Sequence, residues 1–70
     1  MLYEHYFSGR CPSKAQVAKE IKKGIELGAS EMWISWGENG IDIQKYNGQF
    51  YGSGWIRRIS GDDLVKELRI

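Results

Sequence analysis

Four aromatic residues and two arginines carry the clearest prospect of chemistry in this chain: Trp33, Tyr46, Tyr51 and Trp55, followed by Arg57 and Arg58. Indole and phenol rings on an open sheet offer flat platforms for nucleic-acid bases, each stack being worth ~1–3 kcal/mol. The same residue types, with arginine, are those most enriched at the energetic centres of protein interfaces, and a guanidinium can grip a phosphate through two parallel hydrogen bonds. The group therefore reads as a contact surface for a protein, for a second copy of the chain, or for bases. The plainer reading is that aromatic residues favour strands, or that the N-terminal segment folds over them.

A second group lies in the loop Gly9-Arg10-Cys11-Pro12-Ser13-Lys14. It leads into a helix start, where free backbone N–H groups attract anions, so Arg10, Ser13 and Lys14 are candidate phosphate contacts. The loop has neither the Gly-x-x-x-x-Gly-Lys-Ser/Thr nor the Gly-x-Gly-x-x-Gly pattern, and an ordinary capped helix start accounts for most of it. Cys11 beside Arg10 has a setting that lowers a thiol pKa. A Cys–His nucleophile pair with His5 would still need an orienting third group and an oxyanion site, and nothing specifies them. Glu38 or Asp42 could join His5 as an acid–base set only if the fold brought them together. One histidine and one cysteine give no zinc-ligand spacing. These residues predict no catalytic centre, no metal and no cofactor. Lys19, Lys22 and Lys23 could touch phosphate or an acidic protein, but Glu20 and Glu26 between them describe a solvated helix face.

The elements that must position these residues are marked by turn chemistry. Asn39-Gly40 and Asn47-Gly48 lie between segments rich in Trp, Tyr and Ile. Asn-Gly is the strongest short hairpin signal because a type I′ turn needs positive φ at both central residues. Three strands follow, Glu31 to Trp36, Ile41 to Tyr46 and Gln49 to Ile59, in a meander. Two-residue loops at both sites set Trp36 opposite Ile43, Trp33 opposite Tyr46, Ile43 opposite Gly52 and Ile41 opposite Gly54. Alternation then puts Met32, Ile34, Trp36, Ile41, Ile43, Phe50 and Ile56 on a core face. Trp33, Ser35, Asp42, Gln44, Tyr46, Tyr51, Ser53, Trp55 and Arg57 fall on the other. A β-bulge at Gly52-Ser53-Gly54 would reverse the face of Trp55.

Leu2 to Phe7 reads as a further strand. Ser13 with Gln16 forms a capping box that opens a helix, Val17, Ala18, Ile21 and Ile25 give it an apolar face, and Gly28 ends it. Gly24 near that face implies close packing. Ser60 caps a last helix with Asp62 and Asp63 in its first turn, Leu64, Val65 and Leu68 packing, and Lys66 and Arg69 near its C-terminal end. The expected fold is α+β, in the order β-α-β-β-β-α, an antiparallel meander sheet with helices packed on one face.

Seventy residues fit one small domain, residues 1–70, whose thin core would gain from self-association or a bound partner. The chain starts at Met1 and ends inside a helix, as a complete short gene product would. It lacks a membrane-length apolar run or a signal-peptide core, and its single cysteine fits a reducing, cytoplasmic setting. A net charge of +1 argues against sequence-independent binding to duplex DNA and against nucleic-acid mimicry.

From residue 13 to 69, the order helix, three antiparallel strands, helix is similar to that of double-stranded-RNA-binding domains. The resemblance is one of topology alone. It implies a basic cluster at the start of the final helix, where this chain has Ser60-Gly61-Asp62-Asp63, which would repel phosphate, and a groove-inserting loop where Glu38-Asn39-Gly40 forms a tight turn. Double-stranded RNA is accordingly not the expected partner. The expectation is a small non-catalytic protein-binding module, of the accessory or inhibitory kind that phages and mobile elements direct at host proteins. It would act through Trp33, Tyr46, Tyr51, Trp55, Arg57 and Arg58. The alternative is a nucleotide or single-stranded nucleic-acid binder that stacks bases on the same face and holds phosphate at Arg10, Ser13 and Lys14.

Overall fold

The computed structural model describes residues 1–68. The elements run β1 (Leu2–Phe7), α1 (Lys14–Glu26), β2 (Glu31–Trp36), β3 (Asn39–Tyr46), β4 (Gln49–Ile56), β5 (Ile59–Ser60) and α2 (Gly61–Leu68). The fold is a small α+β arrangement: a five-stranded mixed sheet in the order β1-β2-β3-β4-β5 with two helices. It is not the purely antiparallel meander anticipated, because β1 pairs parallel with β2, Leu2 opposite Glu31 through Phe7 opposite Trp36. The N-terminal segment thus extends the sheet instead of folding across it. A parallel pair needs a long crossover, and α1 supplies it.

The second Asn-Gly pair behaves as its chemistry dictates. Asn47 and Gly48 have φ of 50° and 78°, and Tyr46 pairs with Gln49 across them. The first does not. The β2–β3 loop is Gly37-Glu38, so Trp36 faces Asn39 where the sequence pattern had put it opposite Ile43. Core pairing decides the register. A loop at Asn39-Gly40 would set Ile34 against Lys45 and run Met32 into the next turn. The observed register sets Ile34 against Ile41 and Met32 against Ile43, all four side chains fully buried. The shift is an even number of residues, so each side chain keeps its face. The β3–β4 ladder runs unbroken from Gly40–Trp55 to Tyr46–Gln49, without a bulge. A third hairpin follows that the sequence reading had merged into one strand: Arg57-Arg58 forms its turn, with Arg57 at φ 53°, and β5 folds back on β4.

Both helices contact the same sheet face. In α1, Ser13 Oγ accepts from the Gln16 backbone N–H at 3.2 Å and Gln16 Oε1 accepts from the Ser13 N–H at 2.8 Å, a complete capping box. Gly28 at φ 82° follows the C-cap residue Leu27. Gly24 is buried against β2, where a Cβ would lie 2.6 Å from Met32 Sδ. In α2, the Asp63 N–H donates to Ser60 Oγ at 3.4 Å, and Lys66 reaches back to Asp62 at 3.0 Å. Arg69 lies outside the described residues. Val17 and Ile21 of α1, Leu64 and Val65 of α2, and Met32, Ile34, Ile41, Ile43 and Ile56 of the sheet make the core. The start of α2 lies directly on β4. A Cβ on Gly52 would fall on the carbonyl of Gly61, and one on Gly61 would lie 2.6 Å from the Ser53 carbonyl and 2.7 Å from Ile41 Cγ2.

Candidate functional site

With both helices on one face, the other is left open, and strand alternation decides what it shows. From β1 to β4 its three successive cross-strand rows are Leu2–Glu31–Gln44–Tyr51, Glu4–Trp33–Asp42–Ser53 and Tyr6–Ser35–Gly40–Trp55. Trp33 is 45 % exposed, Trp55 57 %, Tyr51 55 % and Tyr6 61 %. Tyr46 is also exposed, at the β3–β4 turn opposite Gln49 and not opposite Trp33 as the sequence pattern had it. Tyr51 Oη donates to Gln49 Oε1 at 3.1 Å.

Trp33 is held in place by a glycine. A Cβ on Gly40 would lie 2.9, 3.1 and 3.4 Å from Cζ2, Cη2 and Cε2 of the indole. Three adjacent ring atoms at such similar distances mean that the flat side of the ring covers the glycine. The diagonal reach from β2 to β3 puts the indole next to Gly40, whose own partner on β4 is Trp55. On either side of Trp33, in its own row, stand the carboxylates of Glu4 and Asp42. Asp42 Oδ1 accepts from Gln44 Nε2 at 2.9 Å, which orients it.

The two arginines are not on this face. Arg57 sits in the β4–β5 turn with its guanidinium 5.5 Å from the centre of the Trp36 ring. Trp36 is on the helix-bearing face, partly buried, and its indole N–H donates to the Gly9 carbonyl at 2.9 Å. Arg58 borders a shallow depression with Lys14 and Asp63. The structure thus draws the Gly9–Lys14 loop and the Arg57-Arg58 turn toward one end of the molecule, away from Trp33 and Tyr51. Lys14 forms an ion pair with Glu67. Sequence reasoning missed Trp36 as the link because a tryptophan at core parity reads only as packing.

His5 meets neither Glu38 nor Asp42. Its Nδ1 lies 3.3 Å from Glu20 Oε1 on α1, and the same oxygen accepts a 2.6 Å bond from Tyr3 Oη. Sequence reasoning had assigned Glu20 to solvent; the parallel β1 brings these three together. The bond to the Glu20 carboxylate pushes the Tyr3 phenol up to about 12, helped by burial and by the carboxylate's charge. A raised pKa means stability that is complete below the ordinary value of 10 and lost as pH climbs through about 12. We expect Tyr3→Phe to remove this loss: denaturant midpoints of wild type and variant, measured from pH 9 to 12, should converge as pH rises. A constant gap across that range would show that folding does not raise the Tyr3 pKa.

Among the described residues no three or more His, Cys, Asp or Glu side chains gather as a metal site would require, and no helix is long and apolar enough to cross a membrane. Comparison with protein-family models, curated proteins and solved structures finds no match.

Proposed function

We propose that this chain is a small non-catalytic protein-binding module whose contact surface is the open sheet face. One observation carries the reading: Trp33, Tyr51 and Trp55 stand exposed on a sheet face that neither helix covers, with the Trp33 ring lying over Gly40. Exposed aromatic groups on such a face are the usual mark of a contact surface, and Trp and Tyr side chains, with only two χ angles each, have little rotamer entropy to lose on docking. The accessory or inhibitory role expected from size belongs to this reading, since blocking a partner needs a surface and no reaction. Arg57 and Arg58 then act, if they act in binding, at the end of the sheet and not at its centre.

The second reading is a nucleotide or single-stranded nucleic acid. It draws on Arg58 bordering one depression with Lys14, and on Trp36 joining the Gly9 carbonyl to Arg57. It ranks behind because Glu4 and Asp42 are the cross-strand neighbours of Trp33, on which a base would stack, and their charge opposes phosphate.

Selection of displayed random peptides on the immobilised protein tests both. Selected peptides should bind wild type about 30-fold more tightly than Trp33→Ala, the loss of a residue worth about 2 kcal/mol at an interface centre. Peptides indifferent to Trp33→Ala and Trp55→Ala alike would sink the protein-binding reading. A short oligonucleotide bound tightly and lost on Arg10→Ala would put the second reading first.

A further inference from the structure

Resting on that reading, we infer that the partner presents arginine or lysine side chains to the open face, with a cation seated over Trp33 between Glu4 and Asp42. Three observations converge. The Glu4–Trp33–Asp42 row places a carboxylate on each neighbouring strand beside the indole. Gly40 takes one side of the ring, so the side available to a partner is the outer one. No position in the three cross-strand rows of this face is Lys or Arg, and none of Glu4, Glu31 and Asp42 forms an ion pair among the described residues.

The chemistry follows from charge. The face of an aromatic ring attracts cations, tryptophan most strongly and arginine most often. The carboxylates of its two cross-strand neighbours, Glu4 and Asp42, add Coulomb attraction and acceptors that match a guanidinium. The molecule already shows the pairing once, at Arg57 over Trp36. Three of its six lysines, Lys19, Lys22 and Lys23, line the outer side of α1 together with Glu26. The chain's net charge of +1 therefore hides a division between a carboxylate-bearing sheet face and a basic helix side. That division disfavours a second copy docked face to face, which would set the carboxylate rows against each other. It equally disfavours an acidic peptide or a nucleic-acid backbone.

The test is a nuclear magnetic resonance titration of the whole chain with hexa-arginine, hexa-glutamate, a neutral Ser/Leu hexapeptide and a short oligothymidine. Hexa-arginine should move the indole N–H signals of Trp33 and Trp55 and leave that of Trp36, which is bonded to Gly9. Its affinity should fall about tenfold in Glu4→Gln/Asp42→Asn, which keeps every ring, and should fall with added salt. Trp33→Ala should also weaken it while preserving the backbone spectrum. The inference is overturned if hexa-arginine moves only signals around Glu26, Asp62 and Asp63, if the double variant binds it unchanged, or if hexa-glutamate or oligothymidine takes the face instead. The peptide selection separates this failure from that of the broader reading. Selected peptides that depend on Trp33 but lack Arg and Lys overturn the cation assignment and leave the protein-binding surface standing; peptides that ignore Trp33 and Trp55 overturn both.

Discussion

Gly52→Ala should cost about 3 kcal/mol, the upper end for forcing an extra methyl into a packed site, and lower the melting temperature by roughly 15 °C. The reason is the identity of the obstacle. Many glycines face a flexible side-chain tip that can swing away. A Cβ on Gly52 would run into the carbonyl of Gly61, a backbone obstacle, and would lie 2.9 Å from Val65 Cγ2. To admit the methyl, α2 must lift off β4, taking Leu64 and Val65 from a core that has few other members. Ser53→Ala, one position along and exposed, is the control and should change stability by no more than ~0.5 kcal/mol. Thermal unfolding followed by circular dichroism reads both. Equal melting temperatures for the two variants would mean that α2 is not seated as described.

Ile41→Ala should cost about 3–4 kcal/mol, whereas Ile41→Val should cost only about 1. Ile41 is fully buried on a central strand, faces Ile34 across the β2–β3 ladder, and lies beneath the first residue of α2. Truncation opens a cavity walled by the sheet on one side and a helix start on the other. Neither can collapse into it without breaking a ladder or a cap. A chain of this length has a total stability of roughly 5 kcal/mol, so the alanine variant keeps only a margin of ~1–2 kcal/mol. Urea unfolding measures it through the midpoint at unchanged slope. A loss below about 1.5 kcal/mol would show that the site relaxes, and that Ile41 is not the keystone its position implies.

The parts of this fold legible in the sequence are those where local chemistry and core packing agree. Ser13 and Gln16 announce a capping box and form one. Asn47-Gly48 announces a turn, and the register it sets, Ile43 on Gly52 and Ile41 on Gly54, leaves the space that α2 uses. Where the two disagree, packing wins. Asn39-Gly40 carries the same turn signal, yet pairing Met32 and Ile34 with Ile43 and Ile41 moves the loop to Gly37-Glu38 and gives Gly40 a different task, as the floor for Trp33. The third turn was not readable because Arg57-Arg58 has no turn residue in it; Arg57 takes a positive φ at a cost of roughly 1 kcal/mol. The parallel strand was hidden for another reason. Nothing local in Leu2 to Phe7 says which distant strand it joins, and the Tyr3–Glu20–His5 contact exists only because of that choice.

The candidate site divides the same way. Strand alternation alone placed Trp33, Tyr46, Tyr51 and Trp55 on one side, and an even-numbered register shift could not change that. It could not reveal Glu4 beside Trp33, because that neighbour comes from β1. The Glu4 carboxylate, on which the inference of a cationic partner partly rests, was therefore beyond the reach of the three-strand pattern.

The parallel first strand also orders events in time. Each antiparallel pairing, β2 with β3, β3 with β4 and β4 with β5, closes across two residues. Such hairpins can zip with little loss of chain entropy. β1 has no such partner, since Leu2 must wait for Glu31. Leu2 to Phe7, with its two tyrosines and its phenylalanine, is synthesised before α1, which contacts its inner side, and before Glu31 to Trp36, its strand partner. The expected order is hairpins first and β1 last, the strand that completes both the sheet and the Glu4–Trp33–Asp42 row.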